Sequence, residues 1–366
     1  MRLTSRLRTT SQAAEPLLRF RSYLLYSQAL TYLKEGKEAM SSQRSTKLTP
    51  VAFFPKGSFV ENLVVRRDGS ILVTILSSKE LWYVPAPQDN LPVEPIPMYK
   101  FPYRTMGIVE TEPDIFYLCT SEIYTTHEST LERLDLRGWK PGDEIHPKRV
   151  LEFGEPVGAL NGACLVAPGV ILIADARAGL IWRVDLTEDG MTGTARVWLQ
   201  HESMAIDPNN ALIPPQPGIN GVRYDSTTGF LYYTSTQRQL FMRVRVDSDT
   251  QNPVGSPEFV AGGTMADDFL IDEKAGVAYV TTHRENTIDC IVLKANGDNP
   301  PRDIIAGEPF DEKVVGPTSG AWRRGPGDYG RVAYFTTDGG TAAPLPDGIV
   351  RPAALLRVEF LPDLEA

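Results

Sequence analysis

Glu61, Asn161, Asn220 and Asp267 each open, or nearly open, a copy of one recurring phrase, and Asp268 follows directly. The matching place in the two other copies holds Met106 and Thr318. Four of six matched places therefore carry a carboxylate or carboxamide oxygen, and none carries His or Cys. Hard oxygen donors of this kind suit Ca²⁺, or another hard divalent cation, and not zinc. Glu61 and one Asp supply charge, while the two Asn add oxygens without further repulsion. Four or five protein ligands leave coordination places for water or substrate, which is what separates a catalytic ion from a structural one. Singly, each residue has an ordinary reading as well. Asn before Gly, in LNG and ING, is common turn chemistry, and neighbouring Asp residues suit a turn cap.

The elements that bring these positions together are short runs of Val, Ile, Leu, Tyr and Phe broken by DG, PG, TTG and KAG turns. ENLVVRRDGSILVTILSSKELWYV, residues 61–84, reads as three strands and two tight turns. The phrase returns from residues 106, 160, 219, 267 and 318, at spacings of 45, 54, 59, 48 and 51. A period near 50 built only from strands predicts propeller blades. A fourth strand follows five of the units, as PIPMYKF, KRVLEF, ARVWLQ, PEFVAG and RDIIAG, but none follows the sixth. TPVAFF at 49–54 has the missing character, so the sequence predicts an all-β, six-bladed propeller closed by an N-terminal strand. That makes residues 49–366 one domain, preceded by a basic, helical or disordered extension over 1–48.

FVENLVVRRDGSILVTILSSKELWYV, GALNGACLVAPGVILIADARAGLIWRVDL, GINGVRY and MADDFLID resemble the SMP-30/gluconolactonase/LRE-like propellers, fungal members in particular. Paraoxonases and diisopropylfluorophosphatase are more distantly similar. The resemblance covers roughly residues 49–360 and lies in the order and spacing of the motifs. It implies a catalytic calcium at the bottom of a central tunnel, with Glu61, Asn161, Asn220 and Asp267 as ligands and Asp268 beside them. Met106 stands where paraoxonases place a His, and His127 alone does not complete a dyad. No role is assigned to His146, His201 or His283, so the base for hydrolysis is expected to be Asp268, or water assisted by Asp267.

The implied activity is calcium-dependent hydrolysis of a lactone or related ester, with a small molecule as substrate. Two alternatives remain open: a non-hydrolytic cyclase or isomerase of fungal secondary metabolism using the same tunnel, and a non-enzymatic binding propeller. Met106, Thr318 and Trp322 are candidate pocket residues, Trp322 with Arg323 at the tunnel mouth. Asp175 reads as a turn residue, and the Pro-rich stretch 201–218 as a cover for the pocket or a surface loop.

Composition narrows the partners. The 366 residues carry a net charge of −9. Residues 1–48 hold nine Lys/Arg and three Glu, leaving 28 basic and 43 acidic residues, a balance of −15, in the remainder. Such a body is a poor partner for nucleic acid. No apolar run approaches the length of a membrane span. Three widely spaced cysteines and no N-x-S/T acceptor point to buried thiols and an intracellular, cytoplasmic setting. The Arg-rich, acid-poor start leaves mitochondrial targeting open, beside an extra helix or a start at Met40.

Overall fold

The computed structural model describes residues 45–88, 90–209, 216–294 and 299–361. The expectations for the N-terminal extension, and for the middle of the 201–218 stretch, therefore lie outside the described residues. The described chain forms six four-stranded antiparallel sheets, each built from consecutive strands except the last. That sheet takes its inner three strands, Pro317–Trp322, Val332–Thr337 and Pro352–Phe360, from the C-terminal end of the chain and its outer strand, Thr46–Lys56, from the N-terminal end. The closing strand thus begins at Thr46, earlier than residue 49, and pairs from Thr46↔Phe360 to Lys56↔Pro352.

Alternation along each strand sends apolar side chains to both faces of every blade. Six buried clusters result, one in each seam between neighbours. Phe153 meets Trp182 between blades two and three, and Trp198 and Tyr233 lie together between three and four. The seam between blades six and one buries Val51, Phe54, Tyr334 and Leu355 against Val60, Val73 and Val84. Chain ends are therefore joined by apolar burial as well as by a ladder. Cys119 and Cys164 are free and buried, and Cys290 is free and half-buried.

The inner strands, Val60–Val65, Arg104–Glu112, Leu160–Ala167, Ile219–Asp225, Ala266–Asp272 and Pro317–Trp322, share one irregularity. Each carries one residue more than its partner near its start, between Val60 and Asn62, Thr105 and Ile108, Leu160 and Ala163, Ile219 and Val222, Ala266 and Phe269, and Pro317 and Gly320. A bulge of this kind turns side chains away from the ladder. The residues it releases are Glu61, Met106, Asn161, Asn220, Asp267 and Thr318, with their C-terminal neighbours.

Threonines on the adjoining strands tie these bulges to the next blade. Thr74 donates its hydroxyl to the Met106 carbonyl at 2.8 Å, and Thr281 to that of Thr318 at 2.9 Å. Thr318 in turn donates to the Val60 carbonyl at 2.6 Å, across the closing seam. The Asn-Gly pairs lie within strands, not turns. Gly162 and Gly221 are glycine because the following inner strand comes too close: a Cβ at 162 would lie 2.8 Å from the Asn220 carbonyl.

Candidate active site

All six matched residues are buried at the start of the inner strands, as the repeat predicted. Asn220 donates its amide to Asp267 Oδ1 and also to Thr236 Oγ1, the latter at 3.0 Å. Among the described residues, no hydrogen bond ends on the Glu61 carboxylate or the Asn161 carboxamide. Their lone pairs remain open. Burial raises Glu61 well above the usual carboxylate range, and the charges of Asp267, Asp268 and Asp338 add to it. Asp267 is pushed up to about 7, first by burial and then by Asp268 and Asp338, against the lowering effects of His283 and the Asn220 amide.

Asp268 differs sharply from Asp267. Its carboxylate accepts from Asn62 at 3.2 Å, Ser319 at 2.7 Å, its neighbour's Phe269 N–H at 2.8 Å, and the Arg223 guanidinium. A carboxylate surrounded by donors in this way has few acceptor sites left for an ion.

His283 follows a strand end, as its sequence context suggested, and is enclosed there. It is buried, packs against Phe59 with the rings tilted at a centroid distance of 5.4 Å, and donates through Nε2 to Asp338 Oδ2 at 3.1 Å. Burial disfavours its charged form, but Asp338, Asp267 and Glu61 more than offset this and raise it to about 9. His283 and Asp338 are the first residues after the second strands of blades five and six, since Ala266 pairs with Thr282 and Pro317 with Thr337. The antiparallel hairpin brings those strand ends back beside the bulges. The matched-position comparison that finds the ring, carried on to the strand ends, is the signal that would have found both residues.

The remaining candidates divide. Thr318 stays in the ring, while Met106 fills its blade-two place with an apolar side chain in the seam toward blade three. Trp322 ends the sixth inner strand, and its side chain packs in the seam between blades five and six. Its indole donates to the Ile271 carbonyl at 2.7 Å and packs on Tyr279, Tyr329 and Phe360. Asp175 is a turn residue, accepting from the N–H groups of Gly158, Ala159, Arg177 and Ala178 and from the Trp182 indole. His127 lies in the loop after a turn at residues 123–126, with a left-handed φ of 59°.

Among the described residues, no group of three or more His, Cys, Asp and Glu side chains is arranged to hold a metal ion. The candidate ligand set reaches four only by including its two carboxamides. Among those residues, too, no helix is long and apolar enough to cross a membrane.

Solved structures share this architecture. A luciferin-regenerating enzyme matches over 87% of this chain and 96% of its own, at a TM-score of 0.60 and 14% identity. The chain shares its six-bladed propeller fold. Regucalcin from Agrobacterium tumefaciens, described as a calcium-binding protein, matches over 86% of this chain and 98% of its own, at 0.53 and 14%. An aldose sugar dehydrogenase from Streptomyces coelicolor, bound to PQQ, matches over 86% and 99%, at 0.56 and 13%. Such different neighbours establish the propeller and leave its reaction to the site. No family model matches the sequence, and no curated protein matches it.

Proposed function

We propose that the propeller is a calcium-dependent hydrolase of a lactone or related ester. The observation that carries this reading is the charge of the ring. Glu61, Asp267, Asp268 and Asp338 contribute four negative charges when ionised, and Arg223 with protonated His283 contributes two positive ones. The remainder is −2, which one divalent cation balances. Glu61, Asn161, Asn220 and Asp267 would hold it, the first two with lone pairs that no donor among the described residues occupies. When bound, a calcium ion there supplies a Lewis acid for an ester carbonyl and for the oxyanion that develops on it.

The chain's own residues divide the proton work. Asp267, ionised when it holds the ion, is the carboxylate suited to orient an attacking water and assist removal of its proton. His283, at about 9, is suited to hold a proton and return it to a leaving alkoxide, with Asp338 fixing its ring. Asp268 leaves the base role to Asp267 because its oxygens already serve four donors.

The test is calcium titration of the chelator-treated protein by calorimetry, followed by turnover of a panel of lactones and aryl esters. One bound calcium, with turnover lost in Glu61→Gln and in Asp267→Asn, is the expected result. A protein that binds no divalent cation, or turnover untouched by both substitutions, overturns the reading. Cation binding without turnover across the panel transfers the site to a non-hydrolytic reaction.

A further inference from the structure

Asp268 Oδ2 is a meeting point for four blades. It belongs to blade five, and it receives the Asn62 amide from blade one at 3.2 Å, the Ser319 hydroxyl from blade six at 2.7 Å and the Arg223 guanidinium from blade four. In a ring of six blades, side chains from four of them converge on one oxygen only near the central axis. Arg223 also reaches Ser319 Oγ at 3.3 Å and the Val222 carbonyl at 2.9 Å, with its guanidinium carbon 6.0 Å from the Phe269 ring centre. The ion pair is enclosed, with side-chain exposures of 20% for Arg223 and 4% for Asp268. The neighbouring blade is cut away to admit it: a Cβ on Gly221 would lie 2.2 Å from Asp268 Oδ1.

We propose that Arg223 is a positioning residue, which pairs with Asp268 to form a charge-neutral hub on the axis and so sets the field felt by the oxygen ring. The hub stands on its own contacts, and only its effect on calcium rests on the function proposed above. Two neighbouring acids in one bulge would otherwise both load the ring with negative charge. Arg223 cancels one of them, leaving Asp267 to the cation and Asp268 to the scaffold. Burying a charge pair costs solvation, and the three further donors on Asp268 are the kind of support that makes such a pair tenable.

Calcium titration of the full chain, at low ionic strength, tests the assignment with Arg223→Met, Arg223→Lys, Asp268→Asn and the Arg223→Met/Asp268→Asn combination. Removing the cation alone makes the site more negative, so Arg223→Met is expected to tighten calcium binding by about tenfold. Asp268→Asn is expected to weaken it by about tenfold, and the combination and Arg223→Lys to return near the wild-type affinity. A hub with only a structural role would weaken both single variants. That result overturns the proposal, and so does a combination that binds calcium as poorly as Asp267→Asn, because Asp268 is then itself a ligand. If the wild-type protein takes up no calcium, the ring reading fails while the hub is still decided by thermal unfolding of the same four proteins. Each charge-removing single variant is expected to lower Tm by about 5 °C or more, and the combination by clearly less than their sum. Strictly additive shifts overturn the hub.

Discussion

Nε2 of His283 and Oδ2 of Asp338 lie 3.1 Å apart, joining equivalent strand ends of blades five and six. Asp338 is itself held by the N–H groups of Gly340 at 2.7 Å and Ala342 at 2.8 Å. The imidazole is therefore steered by a carboxylate that the backbone has already fixed. Its folded-state value of about 9 lies above the ordinary histidine value. A raised value stabilises the fold fully below about pH 6.5 and loses that contribution as pH rises through about 9. In the calcium-free protein, Tm is expected to fall between pH 7 and 9, and His283→Gln to flatten that slope. An unchanged slope in the variant would assign the pH dependence to other groups.

Calcium binding should release protons. Asp267 sits at about 7 in the ion-free site, so roughly half of it is protonated at neutral pH and must ionise to serve as a ligand. Affinity is expected to rise between pH 6 and 8 and to weaken by up to about tenfold per unit below pH 7. Calorimetry in two buffers of different ionisation enthalpy measures the protons released. A release of zero at pH 6.5 would contradict the raised value.

Asp175→Ala is expected to destabilise the ring without entering its chemistry. Four backbone N–H groups and the Trp182 indole lose their acceptor. Stranding buried donors at about 1 kcal/mol or more each points to a loss of roughly 3–5 kcal/mol in urea unfolding. Calcium affinity of the folded fraction should stay within threefold of wild type.

Gly221→Ala should be among the most damaging single-methyl changes in the molecule. The new Cβ would meet Asp268 Oδ1 at 2.2 Å and its Cα at 2.8 Å, and the backbone contact has no side-chain rotamer to relieve it. A loss of about 3 kcal/mol, at the upper end for overpacking, is expected in chemical unfolding, together with weakened calcium binding. A variant as stable as wild type would show that the bulge is not tightly held.

Strand content, blade number and the closing strand were legible in the sequence because blades repeat, and repetition reveals a pattern that no single strand does. The ring was legible for the same reason: Glu61, Asn161, Asn220 and Asp267 occupy one place in a repeated phrase. Asn-Gly was ambiguous, because local sequence favours a turn while the actual cause, the approach of Asn220 and its strand to Gly162, is tertiary. His283 was given no role because a histidine after a strand usually faces water, and it takes contacts from other blades, Asp338 and Phe59, to enclose it. Arg223 had no sequence signal at all. Its role depends on a side chain crossing from blade four to Asp268 in blade five and Ser319 in blade six.

The pairing of Thr46 with Phe360 also sets an order of events. The first strand of the ring leaves the ribosome before the other five blades, and its partner only after them. Throughout synthesis, Val51, Phe54 and their strand have no mate, and the seam of blades six and one stays open. Contacts between such distant residues form late and slowly. The ring is thus most exposed to mispairing just before it closes, and truncation at either end should leave not a five-bladed remnant but an unsealed, aggregation-prone chain.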